Sequence, residues 1–225
     1  DPLMYKSIYD AIDFCHEVGL KQGLITNGLL LSEFSASRLD KLAWIRVSMN
    51  CLDYVDGITI PEISGTLGFS YVMNEKTTGL VMESLHCYVK KYEPEYVRIV
   101  PNCQATFAEQ ERNNEVLSAT VENWRGPYFY QEKQFEAPKN CWWCYFKPFL
   151  LHDGYVYPCS SVVLNDLSER QFHNRYRWTL GDNLYRIYKE KMEPYPTSSC
   201  NKCVFKPQND IIESILNPPI HEDFI

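Results

Sequence analysis

The chain has 225 residues, 45% of them hydrophobic, which is enough to bury the core of one large domain or of one domain with a small appendage. It contains no apolar run of the about 18 residues that a membrane span needs, and its N-terminus, DPLMYKSIYD, carries no secretory signal. Lys+Arg 22 against Asp+Glu 29 gives a net charge of −7, which disfavours binding to a nucleic acid backbone. We therefore expect a cytoplasmic protein whose partners are neither membranes nor nucleic acids.

The first hundred residues alternate between helix-like and strand-like segments. Apolar residues at helical spacing over 4–18 predict an amphipathic helix, and Gly19 stands where such a helix ends. The other predicted elements are helices over 32–42 and 77–91 and strands over 23–28, 44–50, 69–74 and 96–103. This alternation is typical of βαβ units and predicts an α/β fold with a parallel sheet or barrel.

Polar residues follow each of the four predicted strands. In α/β folds, ligands bind at the carboxyl ends of the strands, so these positions are candidates for a binding site. The four strand ends are Thr26-Asn27-Gly28, Ser48-Met49-Asn50, Met73-Asn74-Glu75 and Pro101-Asn102-Cys103. Ordinary turns explain any one of them, because Asn, Gly and Ser are common where strands end. All four together favour a site for a polar small molecule.

Nine cysteines are unevenly distributed along the chain. Four are single and lie in the first half: Cys15, Cys51, Cys87 and Cys103. The other five are Cys141, Cys144, Cys159, Cys200 and Cys203. An odd total with two C-x-x-C pairs and no export signal favours metal ligation over a disulfide framework. Cys15 and Cys87 lie among apolar residues of predicted helices and are expected to be core residues.

The segment HDGYVYPC, residues 152–159, predicts a β-hairpin that brings Cys159 close to the C-W-W-C segment 141–144. Five cysteines then compete for four coordination positions. The set Cys141, Cys144, Cys200 and Cys203 would form a structural zinc site, which the paired C-x-x-C spacing favours. One of Cys141 and Cys144 with Cys159, Cys200 and Cys203 would instead hold an iron–sulfur cluster, which the hairpin favours.

These cysteine motifs resemble a known module. The pattern CWWC, HDGYVYPC, LGDNLYRIYKEK and CNKC is similar to the SPASM or twitch module that follows the barrel of many radical S-adenosylmethionine (SAM) enzymes. No cysteine follows Cys203, so the chain resembles the short, twitch form with a single auxiliary [4Fe-4S] cluster. By this resemblance the ligands are Cys141 or Cys144 together with Cys159, Cys200 and Cys203.

The first half resembles the barrel of the same family. The opening DPL is similar to the end of the GG(E/D)P stretch, and ITNG, RVSMN, YVMN and VRIVPNC are similar to the ends of barrel strands three to six. The resemblance implies that Asp1 lies near the methionine amino group of SAM and that Ser48 and Asn74 face its ribose or carboxylate. Ile99 and Val100 would lie near adenine. The expected SAM-site residues are Asp1, Thr26, Asn27, Ser48, Asn50, Asn74, Ile99 and Val100.

The resemblance implies a partial (β/α)6, TIM-like barrel over 1–107, a connecting helix and linker over 108–140, and an auxiliary-cluster domain over 141–225. It also implies an oxidoreductase or modifying enzyme that generates a 5′-deoxyadenosyl radical to modify a peptide or a small metabolite. The auxiliary cluster would transfer electrons or bind substrate, and a flavodoxin-like or ferredoxin-like protein would donate electrons. No residue is assigned a catalytic role.

One departure from the family is large. The Cys-x3-Cys-x2-Cys motif that holds the SAM-cleaving [4Fe-4S] cluster is absent from the sequence. We expect that this motif lies in a missing N-terminal part, that the chain is a fragment, and that it is inactive alone; a degenerate relative is the other interpretation. The alternative from a different class is a zinc-stabilised binding module without catalysis.

Overall fold

The computed structural model describes residues 1–102, 105–132, 136, 138–160, 177–189, 193–195, 197 and 203–218. The chain divides into two compact units, Asp1–Glu132 and Lys133–Ile225. Within the described residues, no helix is long and apolar enough to cross a membrane.

The first unit is an α/β structure, as predicted. Its strands are β1 (Gly23–Thr26), β2 (Trp44–Ser48), β3 (Thr66–Met73), β4 (Tyr96–Pro101) and β5 (Tyr128–Tyr130). Its α-helices are α1 (Ile8–Glu17), α2 (Ala36–Leu39), α3 (Gly79–Tyr92) and α4 (Phe107–Glu122). Short 3₁₀ helices cover Pro2–Met4, Leu31–Glu33 and Met49–Asp53. The segment 108–140, predicted as a connecting helix and linker, thus contains most of α4 and all of β5, which belong to this unit.

The five strands form one parallel sheet in the order β1-β2-β3-β4-β5. Side chains alternate between the two faces of a strand, and one face carries the apolar core. The strand residues of this core are Leu24, Ile45, Val47, Phe69, Tyr71, Val97 and Ile99, and the helices contribute Ile12, Leu39, Leu85 and Val121. The helices therefore cover one face of the sheet, which follows from right-handed crossovers between consecutive parallel strands.

Local chemistry explains where the helices of the first unit begin and end. Asp1 caps the 3₁₀ helix Pro2–Met4 and Tyr5 is extended, so α1 begins at Ile8 instead of residue 4. At its other end Gly19 has φ 74°, and the bonds from the Gly19 and Leu20 amides to His16 O and Cys15 O form a Schellman motif. The predicted helical end at Gly19 is confirmed.

Two predictions for the first unit are wrong. The helix expected over 32–42 is broken into a 3₁₀ turn and the single-turn α2, because Phe34 and Ser35 have extended backbones. The Ser35 and Ser37 hydroxyls bond to each other, and serine favours such local bonding over helix. Cys87 is exposed rather than in the core, since it lies about 200° around α3 from the buried Leu85; Cys15 is half-buried.

The second unit is built around a small antiparallel sheet. Strand β7 (Tyr155–Tyr157) pairs with β6 (Phe149–Leu150) on one side and β8 (Trp178–Thr179) on the other. The predicted hairpin is confirmed, and its turn uses Gly154 at φ 82°. In its described part the helices are α5 (Trp143–Phe146), α6 (Leu180–Lys189), which includes the LGDN stretch, and α7 (Lys206–Leu216).

Candidate functional site

The polar strand ends of the first unit lie at one edge of the sheet, because all five strands are parallel. A cavity of about 460 Å³ opens at this edge, beside the ends of β3 and β4 and the first turns of α4. Its lining includes Asn74, Asn102, Glu109 and Arg112. Cys103, which the sequence predicts at one of these strand ends, lies outside the described residues.

Asp1, Thr26 and Asn27 are in direct contact. The Asp1 carboxylate accepts hydrogen bonds from Thr26 Oγ1 at 2.7 Å and from the Asn27 amide at 2.6 Å. Its other oxygen accepts from the Leu3 amide at 2.9 Å, which caps the 3₁₀ helix. An exposed carboxylate is thus held at the end of β1 by three donors.

Gly28 makes the turn after β1 possible. It has φ 79°, a conformation that L residues rarely adopt, and its amide donates to Thr26 Oγ1 at 3.1 Å. An added Cβ would lie 2.7 Å from Ile58 Cδ1 and 2.9 Å from Val47 Cγ1. Only glycine therefore fits this position without a shift of its neighbours.

Asn50 and Asn74 converge on Asp53. Asp53 Oδ2 accepts from Asn50 Nδ2 at 3.1 Å and from Asn74 Nδ2 at 3.0 Å, and both amides also donate to Val72 O. Asn50 Oδ1 accepts from the Val72 amide and Asn74 Oδ1 from the Lys76 amide. Each side-chain amide donates both of its hydrogens to acceptors inside the protein. A ligand can therefore bond only to the remaining lone pairs of the two amide oxygens.

Tyr71 completes this network from the core face of β3. It is fully buried, donates to Asp53 Oδ1 at 2.7 Å, and contacts Thr77 Oγ1 at 3.1 Å. Burial raises the pKa of Tyr71 well above its ordinary value, so the hydroxyl keeps its proton. Sequence reasoning missed Asp53 and Tyr71; the three-residue spacing of Asn50 and Asp53 was the available signal.

The remaining predicted residues of the first unit lie within the strands. Ser48 ends β2 and pairs in register with Ser70 of β3. Ile99 and Val100 are both buried, but successive residues lie on opposite faces of β4, and Ile99 belongs to the helix-covered core. At most one of the two can therefore face any single ligand.

In the second unit, the thiols of Cys141 and Cys144 interact with each other. The bond with Cys144 lowers the pKa of Cys141 and, together with burial, raises the pKa of Cys144. Cys144 Sγ also lies 3.9 Å from Cys141 O, across a turn that leads into α5. Cys141 is therefore the thiol of the pair that loses its proton more easily.

Asn209 and Glu213 of α7 hold this turn in place. Asn209 is 1% exposed, and its Oδ1 accepts from the Trp142 and Trp143 amides at 2.7 and 3.0 Å. Its Nδ2 donates to Phe205 O at 3.1 Å, and its side chain also helps to lower the pKa of Cys141. Glu213 Oε2 accepts from the Trp142 indole and from Asn140. Sequence reasoning found neither residue, since each lies more than 60 positions from the turn.

Cys203 and Cys159 lie within electrostatic range of each other. Burial, together with the charges of Cys141 and Cys159, raises the pKa of Cys203 to about 12. The Phe205 amide donates to Cys203 Sγ at 3.3 Å, as backbone amides do to thiolate ligands. Cys159 is buried just beyond the end of β7.

The donor chemistry of these thiols suits zinc or an iron–sulfur cluster. In the part of the chain that the structure describes, however, no three His, Cys, Asp or Glu side chains lie close enough together to hold a metal ion. Cys200, a member of both predicted ligand sets, lies outside the described residues. The described thiols are therefore suitable ligands for such a site, but no three of them lie close enough together to form it.

Comparison of the chain with models of protein families, with curated proteins and with solved structures finds no match.

Proposed function

We propose that this chain is part of a radical SAM enzyme that modifies a peptide or a small metabolite and carries an auxiliary [4Fe-4S] cluster. The observation that carries the proposal is the contact of the Asp1 carboxylate with Thr26 and Asn27 at the end of β1. The resemblance to the family implies that these three residues line one cofactor pocket. Their convergence at the carboxyl edge of a parallel sheet supports that role.

The strand order favours a barrel rather than a doubly wound sheet. In doubly wound sheets the strand order reverses at a switch point, and helices cover both faces. Here the order is consecutive and the core helices cover one face, as in a β/α barrel. Large apolar side chains beside the edge strand β1 are exposed, among them Phe14, Leu20 and Ile25. This surface supports a partial (β/α)6 barrel that further βα units complete in the intact enzyme.

The proposed SAM site uses the carboxyl edge of the sheet. The Asp1 carboxylate would bind the amino group of SAM, and the hydrogen bonds from Thr26 and Asn27 would hold this Asp1 carboxylate in place. Ser48 would donate to the ribose or carboxylate, whereas Asn50 and Asn74 would act as acceptors because their amide hydrogens are already used. Ile99 and Val100 are the candidates for contact with adenine. Bound SAM would supply the radical that removes a hydrogen atom from the substrate.

The proposed auxiliary cluster belongs to the second unit, in a twitch-like module. Cys159 and Cys203 would be two of its ligands, Cys141 or Cys144 a third, and Cys200 the fourth. The hairpin that ends at Cys159 supports this set over a zinc site that leaves Cys159 unused.

Metal analysis of the 225-residue chain tests the proposal. After anaerobic reconstitution with iron and sulfide, we expect about four iron and four sulfide per chain, with broad visible absorption. The substitution Cys159→Ala should lose or disturb this cluster. Cys87→Ala is the matched control, because Cys87 is an exposed thiol of the first unit.

One zinc per chain that survives in Cys159→Ala, with no bound iron, would overturn the cluster proposal. It would instead favour the zinc-stabilised binding module. Because zinc can occupy thiolate sites from which a cluster has been lost, the preparation must remain anaerobic throughout.

A further inference from the structure

Two arginines lie on the face of the parallel sheet that the helices leave uncovered. Arg46 of β2 and Arg98 of β4 alternate with the core residues Ile45, Val47, Val97 and Ile99, so they point to the opposite side. Arg46 pairs in register with Gly68 of β3, and Arg98 pairs with Ser70. Only small side chains therefore lie on the strand between the two arginines.

Arg46 has no acidic counterpart within the described strands. Strands β1 to β5 contain no Asp or Glu, although the whole chain is acidic. Among the described residues, Arg46 has no hydrogen-bond or ion-pair partner, and its Nε is buried. A buried guanidinium N–H without an acceptor costs free energy, which an anionic ligand would recover.

The neighbour of Arg98 on β3 is polar. Ser70 of β3 pairs in register with Arg98 of β4, so a hydroxyl donor lies on the strand next to this arginine. In the neighbouring row the Tyr96 ring covers Gly68, since an added Cβ there would lie 2.1 Å from Tyr96 Cζ. Ser70 is therefore the small residue of this face that lies nearer the carboxyl edge. The Cα atoms of Arg46 and Arg98 are about 12 Å apart from strand geometry, within reach of two extended arginines.

We propose that this sheet face binds an oxyanion, a carboxylate or a phosphate, of the substrate. Arg46 and Arg98 pair with the anion, because planar guanidinium groups match both carboxylates and phosphates, and Ser70 donates to it. That the anion belongs to the substrate rests on the proposed function; the site itself is argued from the sheet. The proposal narrows the substrate to an anionic peptide or metabolite.

Titration of the chain with two simple anions tests this site. Inorganic phosphate and acetate are added separately at constant ionic strength, without metal or cofactor, while the backbone amides of β2, β3 and β4 are followed by NMR. We expect saturable shifts, and the anion that binds more tightly identifies the preferred oxyanion. Arg46→Gln should weaken binding by about tenfold or more. Arg125→Gln, at an exposed arginine after α4, should leave it unchanged.

Three results would overturn the proposal: no saturable shift with either anion, Arg46→Gln binding as tightly as the wild type, or displacement of the anion by S-adenosylhomocysteine. The last would assign the face to the cofactor. If Arg46→Gln fails to fold, Ser70→Ala replaces it, and unchanged affinity in that variant would equally count against the site. Because the titration needs no metal, its failure can be distinguished from failure of the cluster proposal.

Discussion

At the residue scale, Asn209 shows how one buried amide can organise a segment far from it in sequence. It accepts from two consecutive amides of the C-W-W-C turn and donates to the backbone that leads from Cys203 into α7. One side chain thus links the two segments that carry Cys141 and Cys203. Such a residue rigidifies a site without bonding to any metal.

The substitution Asn209→Ala should destabilise the second unit by about 1–3 kcal/mol, because two buried amides lose their acceptor. Hydrogen exchange at the Trp142 and Trp143 amides measures the local loss of stability. Asn217→Ala is the control, since the exposed Asn217 side chain makes a single bond, to Glu213 at the end of α7, and its effect should stay within about 0.5 kcal/mol. Equal effects of the two substitutions would contradict the role given to Asn209.

At the element scale, the hairpin depends on its turn. Asp153 accepts from the Tyr155 amide at 2.9 Å and from the Tyr157 hydroxyl at 2.7 Å, while Gly154 supplies the positive φ. The bond from Tyr157 lowers the pKa of Asp153 below its ordinary value. The ionised carboxylate is therefore the form that stabilises the hairpin.

This pKa shift predicts an acid-dependent stability. The contribution of Asp153 is present above its ordinary pKa and is lost as the pH falls through its lowered pKa in the folded state, below about pH 4. Asp153→Asn should lower the urea concentration at the midpoint of unfolding at pH 7. It should also make this midpoint fall less steeply as the pH is lowered. Asp56→Asn, at an exposed loop carboxylate, should leave both unchanged. A decline as steep in Asp153→Asn as in the wild type would refute the assignment.

At the scale of the whole molecule, the two units have different sources of stability. The first has an extensive apolar core between sheet and helices. The second has short strands and, in its described part, few fully buried apolar side chains. Small units of this kind usually need a metal or another cross-link to remain folded.

Removal of the metal from the reconstituted chain by a chelator should therefore destabilise the second unit alone. A metal stabilises the state that binds it, so amide protection should fall within 133–225 and persist within 1–132. Hydrogen exchange before and after chelation measures both units in one sample. Equal loss in the two units, or no loss in either, would argue against a metal centre confined to the second.

The predicted pattern agreed with the structure where it depends on local chemistry. The alternating elements of the first unit, the end of α1 at Gly19 and the hairpin turn at Gly154 each depend on residues within a few positions of one another. The helix expected over 32–42 was wrong because a local competitor, the serine-rich stretch after Phe34, outweighed the apolar spacing.

The sequence by itself determined the α/β class, the hairpin and the residue types that can serve as ligands, because periodicity and turn chemistry are encoded locally. Only the tertiary structure decided which groups meet. Asp53 with Tyr71, Asn209 with the C-W-W-C turn, and Arg46 with Arg98 on one sheet face all depend on strand register or on the packing of α7. Contacts between segments that are distant in the chain follow from this packing, and no pattern within a single segment records it.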